Sequence, residues 1–148
     1  MQTKIGEIVE IDPPLGTLHL DINTHMPQVF IAGGVGIAPF RSRLKYLIDN
    51  NKHIPVHLIY SNRASEDISY IKDLRLWESK YEWLKVDYIV SGKVGRIDSS
   101  KLEKLINFKS KPTVWITGSP LFVDDLERML LKLKIPQEKI VTEKFTGY

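Results

Sequence analysis

Val29-Phe30-Ile31-Ala32-Gly33-Gly34-Val35-Gly36-Ile37-Ala38-Pro39-Phe40-Arg41-Ser42 constrains this chain more than any other stretch. Apolar residues run into a turn of closely spaced glycines, and a proline then opens a segment of helical periodicity. A buried parallel strand hands over to a helix in this way, with the helix N-terminus left open for an anion. Glycine has no Cβ, so the turn can take positive φ and let a phosphate approach its N–H groups. Pro39 suits a first helical turn, where its missing N–H would have gone unpaired anyway. Glycine turns also join strands to helices with no ligand, so the stretch alone leaves both readings open.

The rest of the chain repeats the alternation. Phe40, Leu44, Leu47 and Ile48 form a helical stripe that Asp49-Asn50-Asn51 ends, and a second strand is expected over 55–60, followed by Ser61-Asn62-Arg63. Glu66-Asp67 is expected to open a second helix through Ile68, Ile71, Leu74, Leu76 and Trp77, with its acids where the helix dipole favours them. A third strand (83–90), a glycine-containing loop (91–96) and a short helix (101–108) come next. A fourth strand (112–117) runs into Gly118-Ser119-Pro120, before a long helix (121–133) and a fifth strand (140–145). Ahead of all this, 5–11 and 15–22 alternate apolar and polar residues around Asp12-Pro13-Pro14. They read as a hairpin-like arm that is marginal alone and must pack on something. The pattern is that of an α/β protein: an open, parallel, five-stranded Rossmann-like sheet with helices on both faces, plus a short N-terminal β arm. Right-handed crossovers place the first and fourth strands side by side, where strand order reverses.

Composition narrows the function classes. A chain of 148 residues, 43% hydrophobic and 26% charged, has the size and balance of one globular domain. A net charge of +3 is too small and dispersed to suggest nucleic acid, yet does not repel a polyanionic cofactor. The absence of cysteine removes disulfides, thiolate zinc sites and iron–sulfur ligation by this chain, and no metal site is expected. No apolar run approaches the ~20 residues of a membrane-spanning helix. The polar start does not resemble a signal peptide, so a cytoplasmic location is the default expectation and no membrane partner is expected. Trp77, Trp83 and Trp115 read as packing residues. His19 reads as a solvent-facing strand residue.

In a sheet of this kind, ligands sit beyond the carboxyl ends of the strands at the switch point. Gly33-Gly34-Val35-Gly36, Ser61-Asn62-Arg63 and Thr117-Gly118-Ser119-Pro120 all fall on that edge. The backbone N–H groups of Gly34, Val35 and Gly36, with the helix after Pro39, suit a pyrophosphate. Ser61 and Arg63 follow the second strand, where an acid would bind the 2′-hydroxyl of NAD and a cation the 2′-phosphate of NADP. A guanidinium fits a phosphate bidentately. An ordinary ion pair of Arg63 with Glu66 or Asp67 is the competing reading. Arg96 serves either the adenosine side or solvent.

The order and spacing of these motifs resemble the pyridine-nucleotide domain of the ferredoxin–NADP reductase superfamily, flavin-dependent reductases that pass electrons between NAD(P)H and a second redox carrier. The resemblance rests on the stretch 31–42, on Leu58-Ile59-Tyr60-Ser61-Asn62-Arg63 with Glu66-Asp67-Ile68, and on Gly95-Arg96-Ile97. It continues in Thr117-Gly118-Ser119-Pro120 and Glu143-Lys144-Phe145-Thr146-Gly147-Tyr148. It divides the chain into a remnant of flavin-barrel strands and linker (1–26) and an NAD(P)-binding domain (27–148). Gly6-Glu7-Ile8-Val9-Glu10-Ile11 and Pro14-Leu15-Gly16-Thr17-Leu18-His19-Leu20 are similar to the last strands of the family's flavin barrel. The barrel's flavin-holding signature would lie before Met1, so FAD or FMN is expected only with a missing domain or a flavin-binding partner subunit. The final redox acceptor is not indicated.

The resemblance further implies a cofactor site of Gly33, Gly34, Val35, Gly36, Ile37, Pro39, Ser61, Asn62, Arg63, Arg96, Thr117, Gly118, Ser119, Pro120, Phe145 and Tyr148, for NADP or NAD. It puts Thr117 and Gly118 beside the nicotinamide and makes Tyr148, with Phe145, the aromatic that covers the flavin. An exposed terminal Tyr148 is the plain alternative. Glu143 near the same edge is a candidate for charge or proton handling, or a surface carboxylate. Many relatives carry cysteine where Thr117 stands and a second proline where Ser119 stands. The implied function is delivery of hydride from NAD(P)H to a flavin; a non-catalytic nucleotide-binding or docking module is the alternative. A flavodoxin- or receiver-like domain would need acids or hydroxyls where the first strand here ends in glycine.

Overall fold

The computed structural model describes residues 4, 6–8, 10, 18, 21 and 24–145. Strand β1 (Gln28–Gly33) carries the apolar run, buried on both faces as a central parallel strand must be. A 3₁₀ turn, Gly34–Gly36, leads directly into α1 (Ile37–Asp49). Then come β2 (Val56–Asn62), α2 (Ile71–Lys80), β3 (Leu84–Val90) and the single helical turn α3 (Ser91–Val94). The helix α4 (Ser99–Leu105), β4 (Thr113–Gly118), α5 (Pro120–Lys132) and β5 (Ile140–Lys144) complete the succession.

Every strand pairing is parallel and the order is β3-β2-β1-β4-β5. The chain moves outward from β1 to β3, then crosses back over the sheet and moves outward again to β5. A right-handed crossover puts its helix on opposite faces for these two directions of travel. Accordingly, α1 and α2 cover one face and α4 and α5 the other. On the first face Phe30, Leu58 and Tyr60 pack under Phe40, Leu44, Leu74 and Trp77. Phe40 stacks on Phe30 with ring centroids 4.5 Å apart. On the second, Ile31, Ile59 and Ile116 pack under Leu102, Val123, Leu126 and Leu130. Trp115 is buried on the first face and donates its indole N–H to Gln28 Oε1 at 2.7 Å. Trp77 is buried as well, and Trp83 is half-buried against the same cluster beside Tyr81, so all three tryptophans pack as expected.

The sheet, its order and its helical faces match the sequence reading, while several boundaries differ. Ser61 and Asn62 belong to β2 itself, held by pairing to Ile89 and Val90 of β3. The helix expected from Glu66-Asp67 begins only at Ile71. Ser65–Asp67 form a separate 3₁₀ turn, in which Asp67 accepts a hydrogen bond from the Ala64 N–H at 3.1 Å. Ile68 is then extended and Tyr70 left-handed at φ 58°, so the chain cannot run helically between them. Leu76 is 49% exposed, because it lies about 200° around the helix from the buried Leu74. The 91–96 loop contains the turn α3. The helix expected over 101–108 runs from Ser99 to Leu105, started by Asp98, whose carboxylate accepts from the Lys101 N–H at 2.8 Å. Of the arm strands expected at 5–11 and 15–22, only residues 6–8, 10, 18 and 21 are described, and none of these is in a strand. Among them Leu18 is buried, in the same cluster as Trp115.

Candidate functional site

Parallel register brings three strand ends to one edge: Gly33 pairs with Ser61, and Ala32 with Thr117. Beyond that edge lies a crevice of about 890 Å³. Its size is that of a cofactor site.

One wall is the glycine turn. Gly34 has φ +53°, a left-handed conformation in which a side chain would be strained, and a Cβ built there meets nothing within 4 Å. The space beside the turn is therefore open to a ligand. The helix α1 starts at Ile37, directly after the turn, and α5 starts after Ser119, neither with a side-chain cap. The Ile37 N–H is taken up by the Gly34 and Val35 carbonyls, so α1 offers an anion its dipole and the turn ahead of it, while no side chain caps the first N–H groups of α5. Pro39 and Pro120 fall inside these first turns, where a missing N–H costs nothing.

A second wall comes from the end of β2. Arg63 and Arg96 both line the crevice, are exposed, and have no ion pair among the described residues. The expected alternative, a pair between Arg63 and Glu66 or Asp67, is not formed. Acids at the rim are engaged locally: Asp67 in its turn and Asp125 with Arg128. The crevice is left with free positive charge. Asn62 also lines it, and its buried side-chain amide has no partner for oxygen or nitrogen. A buried amide with neither end satisfied is costly and points to a polar group that the site is built to receive. The third wall is apolar, formed by Leu121, Phe122 and Met129 of α5 with Phe145.

Of the residues expected from sequence, Gly33, Gly34, Val35, Ile37, Ser61, Asn62, Arg63, Arg96, Ser119 and Phe145 line this one crevice. Gly36, Pro39, Gly118 and Pro120 are not among its lining residues. Thr117 is fully buried below the turn, and its hydroxyl donates to the Gly36 carbonyl oxygen at 2.5 Å. Glu143 is half-buried outside the crevice lining, on the strand that pairs with β4. Its charge bears on Arg43, whose guanidinium burial pushes below its usual value while Glu143 pulls it back up. Arg43 lies 5.2 Å over the Trp115 ring. Tyr148 lies outside the described residues.

Tyr70 is a lining residue that the sequence reading missed. It precedes α2 in a left-handed conformation, with the Arg41 guanidinium 5.2 Å from its ring and Arg41 bound to Asp73 at 2.9 Å. No apolar period marks such a hinge residue; only its place between two helical turns could have flagged it.

Comparison with known proteins agrees with this fold. Residues 30–128 match the family model described as the oxidoreductase NAD-binding domain. Flavohemoprotein A of Dictyostelium discoideum is 31% identical over 144 residues, covering 96% of this chain and 36% of that protein. NADH-cytochrome b5 reductase 1 of Kluyveromyces lactis is 27% identical over 96% of this chain and 54% of its own length. Among solved structures, flavohemoglobin from Malassezia yamatoensis with bound FAD and heme superposes with a TM-score of 0.72 at 26% identity. That match covers 87% of this chain and 33% of the other. Ferredoxin-NADP+ reductase from Plasmodium falciparum gives 0.73 at 19%, covering 88% and 57%, a likeness of fold. The chain thus spans about a third to a half of the curated relatives it matches. Among the described residues no helix is long and apolar enough to cross a membrane, and no cluster of metal-ligating side chains occurs.

Proposed function

The chain belongs to the oxidoreductase NAD-binding domain family, and on that premise we propose that it holds NAD(P)H across the switch-point crevice and presents it to a flavin carried by another domain or subunit. The observation that carries this reading is one crevice that joins an open glycine turn, two helix starts without side-chain caps, arginines with no ion pair among the described residues and an unsatisfied asparagine amide.

The residues fit a dinucleotide in order. Gly34, Val35 and Gly36, with the start of α1, hold the pyrophosphate through backbone N–H groups. Ser61, Arg63 and Arg96 take the adenosine end, with Arg63 accepting the 2′-phosphate of NADP. The Asn62 amide offers a donor and an acceptor to the sugar and base. Gly118, Ser119 and Pro120 flank the nicotinamide end, and Phe145 and Tyr148 edge the flavin side. When bound, the nicotinamide supplies the hydride. This chain contributes orientation, because positioning the reacting carbon is what a protein adds to cofactor chemistry. Glu143, whose charge acts on Arg43, is a candidate for balancing charge as the dinucleotide is oxidised.

Amide shift mapping with NADP+ tests the placement. Resonances of 34–37, 61–63 and 118–120 are expected to move together. Shifts confined to the opposite edge of the sheet would contradict the reading. NADPH oxidation with a flavin-loaded partner domain separates a catalytic subunit from a docking module, which would bind dinucleotide and stay inert.

A further inference from the structure

Thr117, the penultimate residue of β4, lies directly behind the glycine turn, and its hydroxyl bonds the Gly36 carbonyl across a separation of 81 residues. The approach is close. A Cβ on Gly36 would lie 2.5 Å from the Thr117 carbonyl oxygen and 2.9 Å from the Gly118 nitrogen. Among the described residues no other side chain hydrogen-bonds to 33–36. The Ile37 N–H in turn bonds back to the Gly34 and Val35 carbonyls. Fixing the Gly36–Ile37 peptide therefore fixes the whole turn. Glycines lose more freedom on ordering than other residues, so a glycine turn left unsupported would bind an anion poorly. A β-branched threonine, stiff at χ1 and buried, is well suited to hold such a bond.

We propose that Thr117 is a positioning residue for the pyrophosphate seat, acting through the Gly36 carbonyl, and not a group that touches the nicotinamide. The inference rests on the nucleotide reading above. It assigns the buried hydroxyl a place in binding that the resemblance, which puts this position at the hydride, does not.

The test titrates the wild-type chain, Thr117→Val and Thr117→Ser calorimetrically with NADPH and with ADP-ribose, which keeps the pyrophosphate and lacks the nicotinamide. Thr117→Val is expected to weaken both ligands about tenfold (~1.4 kcal/mol). Thr117→Ser, which restores the donor, is expected to stay within about twofold of wild type. Hydrogen exchange at residues 34–36 should quicken in the valine variant and not in the serine one. Should the valine variant fail to fold, Thr117→Cys, with its weak S–H donor, carries the same comparison. A valine variant that melts lower but binds ADP-ribose as wild type does overturns the proposal, since the hydroxyl would then only stabilise the fold. A loss confined to NADPH overturns it too, by placing the hydroxyl at the nicotinamide. If wild type binds neither ligand, the nucleotide reading itself fails, and the wild-type titration shows that separately.

Discussion

Arg63 stands exposed at the end of β2 with no carboxylate paired to it among the described residues, beside a crevice also lined by Arg96. A guanidinium and a phosphate make charge-assisted bonds that a ribose hydroxyl cannot match. Arg63→Ala is therefore expected to weaken NADPH about tenfold or more while changing NADH less than about twofold, measured by titration. Equal losses for both nucleotides would remove the 2′-phosphate role. His57 gives a second prediction at this scale. Its Nε2–H donates to Asp87 Oδ2 at 2.7 Å, and Lys85 bonds the same carboxylate at 2.8 Å. Burial, the largest influence, pushes the His57 pKa below its usual 6.5, against the pull of Asp87. The folded protein thus binds fewer protons than the unfolded chain at pH values just below about 6.5, and stability rises with pH through that window. Melting temperature should fall on acidification from pH 7 toward 5.5, and His57→Gln should flatten that slope. An unchanged slope in the variant would refute the assignment.

At the scale of elements, the handover from β1 through the glycine turn to α1 carries the site. Gly36→Ala would drive a Cβ to 2.5 Å from backbone of β4, which cannot yield as a side-chain tip would. The expected cost is about 1–3 kcal/mol in denaturant unfolding, with loss of nucleotide binding. Phe40 anchors α1 on β1 by stacking on Phe30, both fully buried. Phe40→Ala is expected to cost about 3–5 kcal/mol, and a loss under ~1 kcal/mol would contradict that packing. These elements were legible in the sequence because long apolar runs and helical stripes report burial directly. The break between Asp67 and Ile71 was not, since it depends on the left-handed Tyr70 and on the capping of a short turn by Asp67. The resemblance singled out Thr117, but a single hydroxyl's acceptor, Gly36 in another segment, leaves no mark on local sequence. Tyr70 escaped for the same reason, held by Arg41 of α1.

For the whole molecule, one reversal of strand order collects every polar strand end on one edge, so the fold makes a binding crevice whatever chemistry is attached to it. The chain spans about a third to a half of its curated relatives, and its proposed part in electron transfer is to bind and orient the dinucleotide. That binding is the central claim. Calorimetric titration of the 148-residue chain with NADPH and NADH tests it directly. Saturable binding at one site per chain, tighter for NADPH, is the predicted result; no heat of binding with either nucleotide would contradict the account.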